Sequence, residues 1–264
     1  MNQSLYESVS VKKISEQKNV GVFTIEGLYT GYGQTVGNSL RRVLLSSLPG
    51  AAITQIKIKG IDHEFSTLPG MMEDIVEFTL NLKKVRFRLF TEEPQTLSLK
   101  GKGEGEITAE DIKTNSFVEI VNPELRIATL TKKTAELDME IVVERGLGYI
   151  PSEEKRTERL SIGTIVLDAI FSPVMRVDVD VENMRVGEKT DYNKIKLEIE
   201  TDGSITPSEA LHKATSVLKE HFEQMLSSEV FEKQNISEET TEKETEKEEK
   251  KKEPKTKKTA KKKG

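Results

Sequence analysis

The chain has 264 residues, with 40 basic against 45 acidic side chains and no cysteine. That length suits one or two domains with a sizeable core, and the composition excludes disulfides, thiolate metal ligands and a cysteine nucleophile. The net charge of −5 conceals an asymmetry: residues 233–264 carry twelve lysines and eight glutamates, a net of +4, which leaves −9 for residues 1–232. So acidic a body is a poor general binder of nucleic acid, whose phosphates need basic surface. No secretory leader is expected, because the first apolar residues alternate with polar ones. No membrane span is expected either, because no apolar run approaches the roughly 20 residues that crossing a bilayer takes.

Residues 1–26 read as two strands. Val9 and Val11 alternate with polar neighbours, and Val20, Val22, Phe23 and Ile25 come after a polar turn over 15–19. The stretch 27–50 organises the chain: a glycine-rich turn feeds a helix of about four turns, stopped by Pro49-Gly50. At roughly 100° per residue, Val36, Leu40, Val43, Leu44 and Leu48 fall on one apolar stripe. Arg42 and Leu45 fall on the far side, and Arg41 borders the stripe. A leucine beside arginines is unusual on a solvated face, so the helix reads as making two different protein contacts at once. Gly31, Gly33 and Gly37 are expected to let the backbone pass close to another helix.

Beyond Pro49-Gly50, Ile53, Ile56, Ile58 and Ile61 mark a strand with Lys57 and Lys59 outward. Leu68-Pro69-Gly70 marks a turn, and 72–84 a helix with Ile75, Val76, Thr79 and Leu82 inward, its start capped by Glu73 and Asp74. Strands then accumulate at 85–90, 96–100, 118–121, 125–130 and 137–143, with Gly101, Gly103 and Gly105 punctuating a hairpin region. Short strands at close spacing indicate an antiparallel β layer. Residues 144–162 read as loop, and 162–171 as a buried apolar strand or short turn. Residues 174–181 alternate, with Met175, Val177, Val179 and Val181 on one face, and 194–201 alternate again; the polar stretch 183–192 between them is the expected hairpin loop. Thr206-Pro207-Ser208-Glu209 is a helix start in which threonine caps, proline sits first and glutamate reaches back. This helix is expected to run to about Phe231. Its stripe of Leu211, Ala214, Leu218, Phe222, Met225 and Leu226, near heptad spacing, invites a partner helix. From Lys233 the composition cannot offset its ordering entropy, so residues 233–264 are expected to be disordered, either as a solvated tail or in weak electrostatic contact with nucleic acid.

Catalytic equipment is not evident. The spacing in Gly31-Tyr32-Gly33-Gln34-Thr35-Val36-Gly37 fits neither a dinucleotide fingerprint nor a P-loop. His63, His212 and His221 are the only histidines and lack metal-ligand spacing, and no serine sits in a nucleophile elbow. No catalytic residue, cofactor or metal is therefore expected. What remains is contact surface. Burying Val36, Leu40, Val43 and Leu44 is worth roughly 6–12 kcal/mol gross, either against the chain's own sheet or in a dimer, and the pattern leaves both open.

The segment 31–52 closely resembles the signature of the bacterial and plastid RNA polymerase alpha subunit. So do His63-Glu64-Phe65-Ser66-Thr67, Glu73-Asp74-Ile75 with Leu80-Asn81-Leu82-Lys83, Glu144-Arg145-Gly146-Leu147-Gly148-Tyr149, the stretch 168–174 and Thr201-Asp202-Gly203-Ser204-Ile205. The resemblance covers roughly 1–230 in order. It implies an α+β fold in which residues 1–50 and 173–232 form a dimerisation subdomain of antiparallel sheet plus two long helices, with a β-rich subdomain inserted at 51–172. It implies a homodimer through the two helices, which makes Tyr32, Val36, Leu40, Val43, Leu44, Leu211, Ala214, Leu218, Phe222 and Met225 the expected dimer contacts. It further implies a non-catalytic scaffold whose two copies bind the beta and beta-prime subunits, with Arg42 and Leu45 serving beta binding beside Arg41. Lys83, Gly146, Asp168, Ser172 and Pro173 lie in segments the family uses for the large subunits. The expected setting is the cytoplasm, at the bacterial nucleoid or in a plastid stroma, with no membrane contact. The usual alpha subunit continues into a helical carboxy-terminal domain that binds promoter DNA and activators; here Glu/Lys-rich sequence stands in its place, so DNA contact is expected only indirectly or weakly through the lysines. The alternative is a stand-alone dimeric β-rich module that binds some other protein.

Overall fold

In the computed structural model, residues 9–155, 161 and 163–227 are described. The expected tail at 233–264 and the end of the last helix near Phe231 lie outside them. Strand β1 (Ser10–Gln17) turns through Lys18 and Asn19 into β2 (Val20–Leu28). Ser15, Glu16 and Gln17 pair with Val22, Gly21 and Val20, so the expected five-residue turn shrinks to two residues, with Lys18 at a φ of 45°. Helix α1 (Tyr32–Ser46) comes next, then β3 (Pro49–Ile58). Pro49 and Gly50 open that strand instead of making a turn of their own, and a proline without an N–H is tolerated at a strand's first residue.

The chain continues through α2 (Ile75–Leu82), β4 (Phe87–Leu89), β5 (Gln95–Lys102), β6 (Gly105–Thr108), β7 (Ile112–Lys113), β8 (Val118–Ile120) and β9 (Arg126–Leu130). Next come β10 (Glu136–Leu147), β11 (Tyr149–Ile150), the single turn α3 (Ser152–Lys155), β12 (Thr164–Val166) and β13 (Ala169–Ile170). The hairpin β14 (Val174–Val186) and β15 (Lys189–Thr201) leads into α4 (Pro207–Leu226). The chain divides into two compact units after Val217, and all the strands belong to the first.

All the sheets are antiparallel, so the fold is α+β. One sheet has the order β1-β2-β15-β14. Cross-strand partners Phe23 and Leu197, Ile25 and Ile195, and Val177 and Ile199 are buried on one of its faces. The other face carries Arg176, Asp178, Asp180, Lys196 and Glu200, all exposed. Alternation runs further than expected: β14 and β15 pair as far as Val186 and Lys189, so 183–192 is mostly strand closed by Gly187 at a φ of 63°. Met175 leaves the expected apolar face because the register shifts between Val174 and Arg176, and it is exposed.

The larger sheet has the order β7-β5-β10-β3-β4-β8, with β12 added on β3. Its core includes Ile56, Phe78, Phe87, Leu99, Ile127 and Leu137, all nearly inaccessible to solvent. A bulge at Thr54, opposite the Val142/Val143 step, explains why Ile53 and Ile56 both point inward although three residues apart. Helix α2 buries Ile75, Phe78, Thr79 and Leu82 and leaves Val76 exposed, against expectation. It begins at Ile75 under an Asp74 cap, whose side chain accepts from Glu77 N at 2.7 Å. Glu73 does not share in the cap: it is buried and accepts from Thr129 N at 2.8 Å. Strand β10 continues four residues into the expected loop, to Leu147, because Gly146 and Leu147 pair with Gly50 and Pro49. Within the expected apolar stretch, 163–171 holds two short strands separated by Leu167 and Asp168.

Candidate protein-contact surfaces

Helix α1 is seated by its small residues. Gly31 stands at the N-cap with a φ of 84° and no side chain to offer. The cap comes from β15 instead: Asn193 Oδ1 accepts from Gly31 N at 2.8 Å and from Gly33 N at 3.2 Å. The glycines then bring the helix down onto a sheet, not onto another helix as expected. A Cβ on Gly33 would lie 2.6 Å from Val181 Cγ1, and one on Gly37 would lie 2.7 Å from Val179 Cγ1. Leu40, Leu44 and Leu48 complete this inner face and are buried, worth about 5–9 kcal/mol gross.

Of the expected dimer contacts, Leu40, Leu44, Leu211 and Ala214 are buried within their own chain. Val36, Val43 and Leu218 are half-buried. Tyr32, Phe222 and Met225 are exposed. Tyr32 packs edge-on against Tyr29 with ring centroids 6.3 Å apart, and Tyr29 meets Tyr192 at 5.8 Å.

The outer face of α1 carries Arg41, Arg42 and Leu45, all exposed. Among the described residues, neither guanidinium has a hydrogen-bond or ion-pair partner. Arg42 and Leu45 stand three apart and share a surface. Just beyond, the C-terminal end of α1 meets the turn between β10 and β11, where a Cβ on Gly148 would lie 3.4 Å from Ser46 O.

From that turn the remaining expected contact residues gather. Phe171 N donates to Gly148 O at 2.8 Å, and the Phe171 ring covers Gly146 so closely that a Cβ there would meet it at 2.8 Å. Gly146 pairs with Gly50, whose own absent Cβ would stand 1.9 Å from Phe171 O. Two chain crossings, at Gly50 and at 171–173, therefore pass through one tight joint. Pro173 is buried there and Ser172 half-buried, donating to Val174 O at 3.3 Å. Gly146 and Pro173 thus lie beneath the surface that their exposed neighbours form.

Those neighbours are Leu147 at 57%, Tyr149 at 59% and Ile170 at 51% exposure. Tyr149 and Ile170 are cross-strand partners in β11 and β13. The sequence analysis did not single out these three side chains as exposed. An exposed apolar side chain cannot be told from a buried one in a single sequence, and 144–162 looked like loop. Lys83 and Asp168 stand 85 residues apart in the chain and are brought together by the fold: Lys83 Nζ donates to Asp168 Oδ2 at 3.1 Å, and Asp168 Oδ1 accepts from Ser152 N at 3.0 Å. The Ser152 hydrogen bond, and then Lys83, hold the Asp168 carboxyl below the ordinary carboxylate range. Among the described residues, no group of three or more His, Asp or Glu side chains is placed to hold a metal ion, and no helix is long and apolar enough to cross a membrane.

Comparison with known proteins bears on these surfaces. Residues 56–172 match the sequence model of the RNA polymerase Rpb3/RpoA insert domain. The DNA-directed RNA polymerase subunit alpha of Symbiobacterium thermophilum is 51% identical over 214 residues, covering 81% of this chain and 68% of that protein. The subunit alpha of Alkaliphilus oremlandii is 49% identical over 213 residues (81% and 67%), and that of Oceanobacillus iheyensis 48% over 213 (81% and 68%). Identity of this extent over four-fifths of the chain and two-thirds of each relative places the chain in the DNA-directed RNA polymerase alpha subunit family.

Proposed function

We propose that this chain is a homodimeric scaffold on which the beta and beta-prime subunits of RNA polymerase assemble, and that it supplies no catalytic group of its own. The observation that carries this is the two-sided use of α1. Its inner face is spent on the chain's own sheet, while its outer face offers two guanidiniums, unpartnered among the described residues, beside a partly exposed leucine. Arginines that become desolvated on binding are typical anchors of protein interfaces, and the leucine adds apolar area beside them. Leu147, Tyr149 and Ile170 extend the same surface with apolar area.

Residues 1–50 with 173–232 serve as the dimerisation part and 51–172 as the inserted part, a division supported by the joint at Gly50 and Phe171 through which both crossings pass. With Leu40, Leu44, Leu211 and Ala214 buried, the dimer contacts fall to Tyr32, Val36, Val43, Leu218, Phe222 and Met225. Val11, exposed on the same sheet face as Ile25, joins them. The setting is intracellular, where a template and large subunits are at hand. The lysines of 250–263 add at most weak, sequence-independent attraction to DNA. Arg42→Ala tests the scaffold reading: the dimer mass by light scattering should be unchanged and capture of the beta subunit should fall at least several-fold. Full beta capture by the variant would overturn it.

A further inference from the structure

The segment Thr201–Ile205 resembles a family signature, yet neither of the two contact surfaces uses it. It leaves β15 and starts α4, and it is held from the opposite sheet. Arg88, on β4, donates from Nε to Ser204 O at 2.9 Å and from Nη2 to Gly203 O at 3.2 Å. Its third contact, Nη1 to Glu119 Oε2 at 2.9 Å, is to its own cross-strand neighbour on β8, which orients the guanidinium. Gly203 has a φ of 92°, and a Cβ on it would meet Val121 Cγ1 at 3.0 Å and Asn19 Oδ1 at 3.3 Å. Asp202 N donates to Pro173 O at 3.0 Å, and Thr201 N to Asn19 O at 2.8 Å. The loop thus touches β4, Val121 just past β8, the β1–β2 turn and the 171–173 crossing at once.

Beside it runs a groove of about 450 Å³, lined by Arg88, Arg145, Ser204, Glu209 and Lys213 among others. Beside this groove the Arg88 hydrogen bonds, together with the Arg86–Asp202 ion pair at 4.0 Å, span from the β-rich segment to the loop. A guanidinium reaches two successive carbonyls with a planar fork, which an ammonium cannot do, and such charge-assisted bonds are stronger than neutral ones.

We propose that Arg88 is a positioning residue that locks the β-rich segment 51–172 against the sheet from which α4 springs. Its consequence for assembly rests on the scaffold reading: the four-stranded sheet that seats α1 and the large-subunit surface are held in one geometry.

The absence of cysteine makes the test direct. Nitroxide labels on Lys113→Cys and Lys196→Cys, both exposed, report the distance between the two sheets in the full chain, diluted with unlabelled chain so that only pairs within one copy are read. The parent should give one narrow distance distribution. Arg88→Ala, and Arg88→Lys with its stem and charge intact, should broaden it about twofold, read well below the melting temperature of each variant. Capture of the large subunits should fall several-fold at unchanged dimer mass. Should Arg88→Ala fail to fold, Arg88→Lys decides. A distribution as narrow in Arg88→Lys as in the parent overturns the proposal, as does full large-subunit capture by that variant. Failure of the parent chain itself to capture the large subunits would overturn the scaffold reading instead, and the distance distribution would still decide the role of Arg88.

Discussion

The side-chain oxygen of Asn193 lies 2.8 Å from the amide nitrogen of Gly31, closing the N-terminus of α1 from a strand 162 residues away. The same oxygen takes Gly33 N at 3.2 Å, while Asn193 Nδ2 donates to Asn183 Oδ1 at 3.2 Å across the hairpin. One buried amide therefore fixes the helix's position along the sheet and braces the hairpin beneath it. Everything α1 presents outward, Arg41, Arg42 and Leu45, inherits its placement from this contact.

Replacing Asn193 by alanine removes an acceptor that serves two helix N–H groups. Loss of a cap combined with unsatisfied buried donors should lower stability by about 1–3 kcal/mol, read as a drop in the urea midpoint with an unchanged slope.

Alanine at position 37 sets two effects against each other. Alanine is a better helix former than glycine by about 1 kcal/mol, but its methyl would start 2.7 Å from Val179 Cγ1, so the valine or the helix must shift. Overpacking of that kind costs about 1–3 kcal/mol, so Gly37→Ala should lower the melting temperature. Gln34→Ala, at an exposed position one turn away, should not.

Glu16 ties the start of α4 to β1. Its carboxylate accepts from Lys13 Nζ at 2.8 Å, from Ser208 Oγ at 2.8 Å and from Ser208 N at 3.0 Å. The Lys13 contact first, then the two from Ser208, lower its pKa from 4.5 to about 2. A carboxylate depressed on folding stabilises fully above its unfolded pKa, and that contribution is lost as pH falls through the folded value. The stability difference between the parent and Glu16→Gln should therefore be constant above about pH 5, shrink across about pH 4.5 to 2 and vanish below. Urea titrations at several pH values would measure it, and a difference independent of pH would show that Glu16 is not charged in this contact.

The Lys83–Asp168 pair is only partly buried, at 25% and 40% side-chain exposure. Asp168→Asn keeps an acceptor for Ser152 N and should change stability by less than about 1 kcal/mol. If the surrounding surface binds a large subunit, the same variant should weaken capture measurably, because the change in charge falls within the contact. Pull-down beside thermal unfolding separates the two.

Local chemistry was legible along the chain. The capping box at α4 is present as its spacing implies: Glu209 N donates to Thr206 Oγ1 at 3.2 Å, and Thr206 N to Glu209 Oε2 at 3.1 Å. Only four residues take part, so spacing alone specifies it. Helix α1, the alternation of β14 and β15, the isoleucines of β3 and the antiparallel character of the sheets were readable for the same reason: each depends on residues one helical turn or one strand apart. Tertiary structure decided which face of α1 was already occupied, turning Leu40 and Leu44 inward and giving Gly33 and Gly37 a sheet to rest on. It also decided that Asn193 caps a distant helix, that Met175 and Val76 turn outward, that Leu147, Tyr149 and Ile170 share a surface, and that Arg88 grips Gly203 and Ser204. Each of these depends on a partner tens of residues away or on a single shift of register. A shift by one residue reverses which side of a strand is buried, and no periodicity within one segment records where its neighbour will lie.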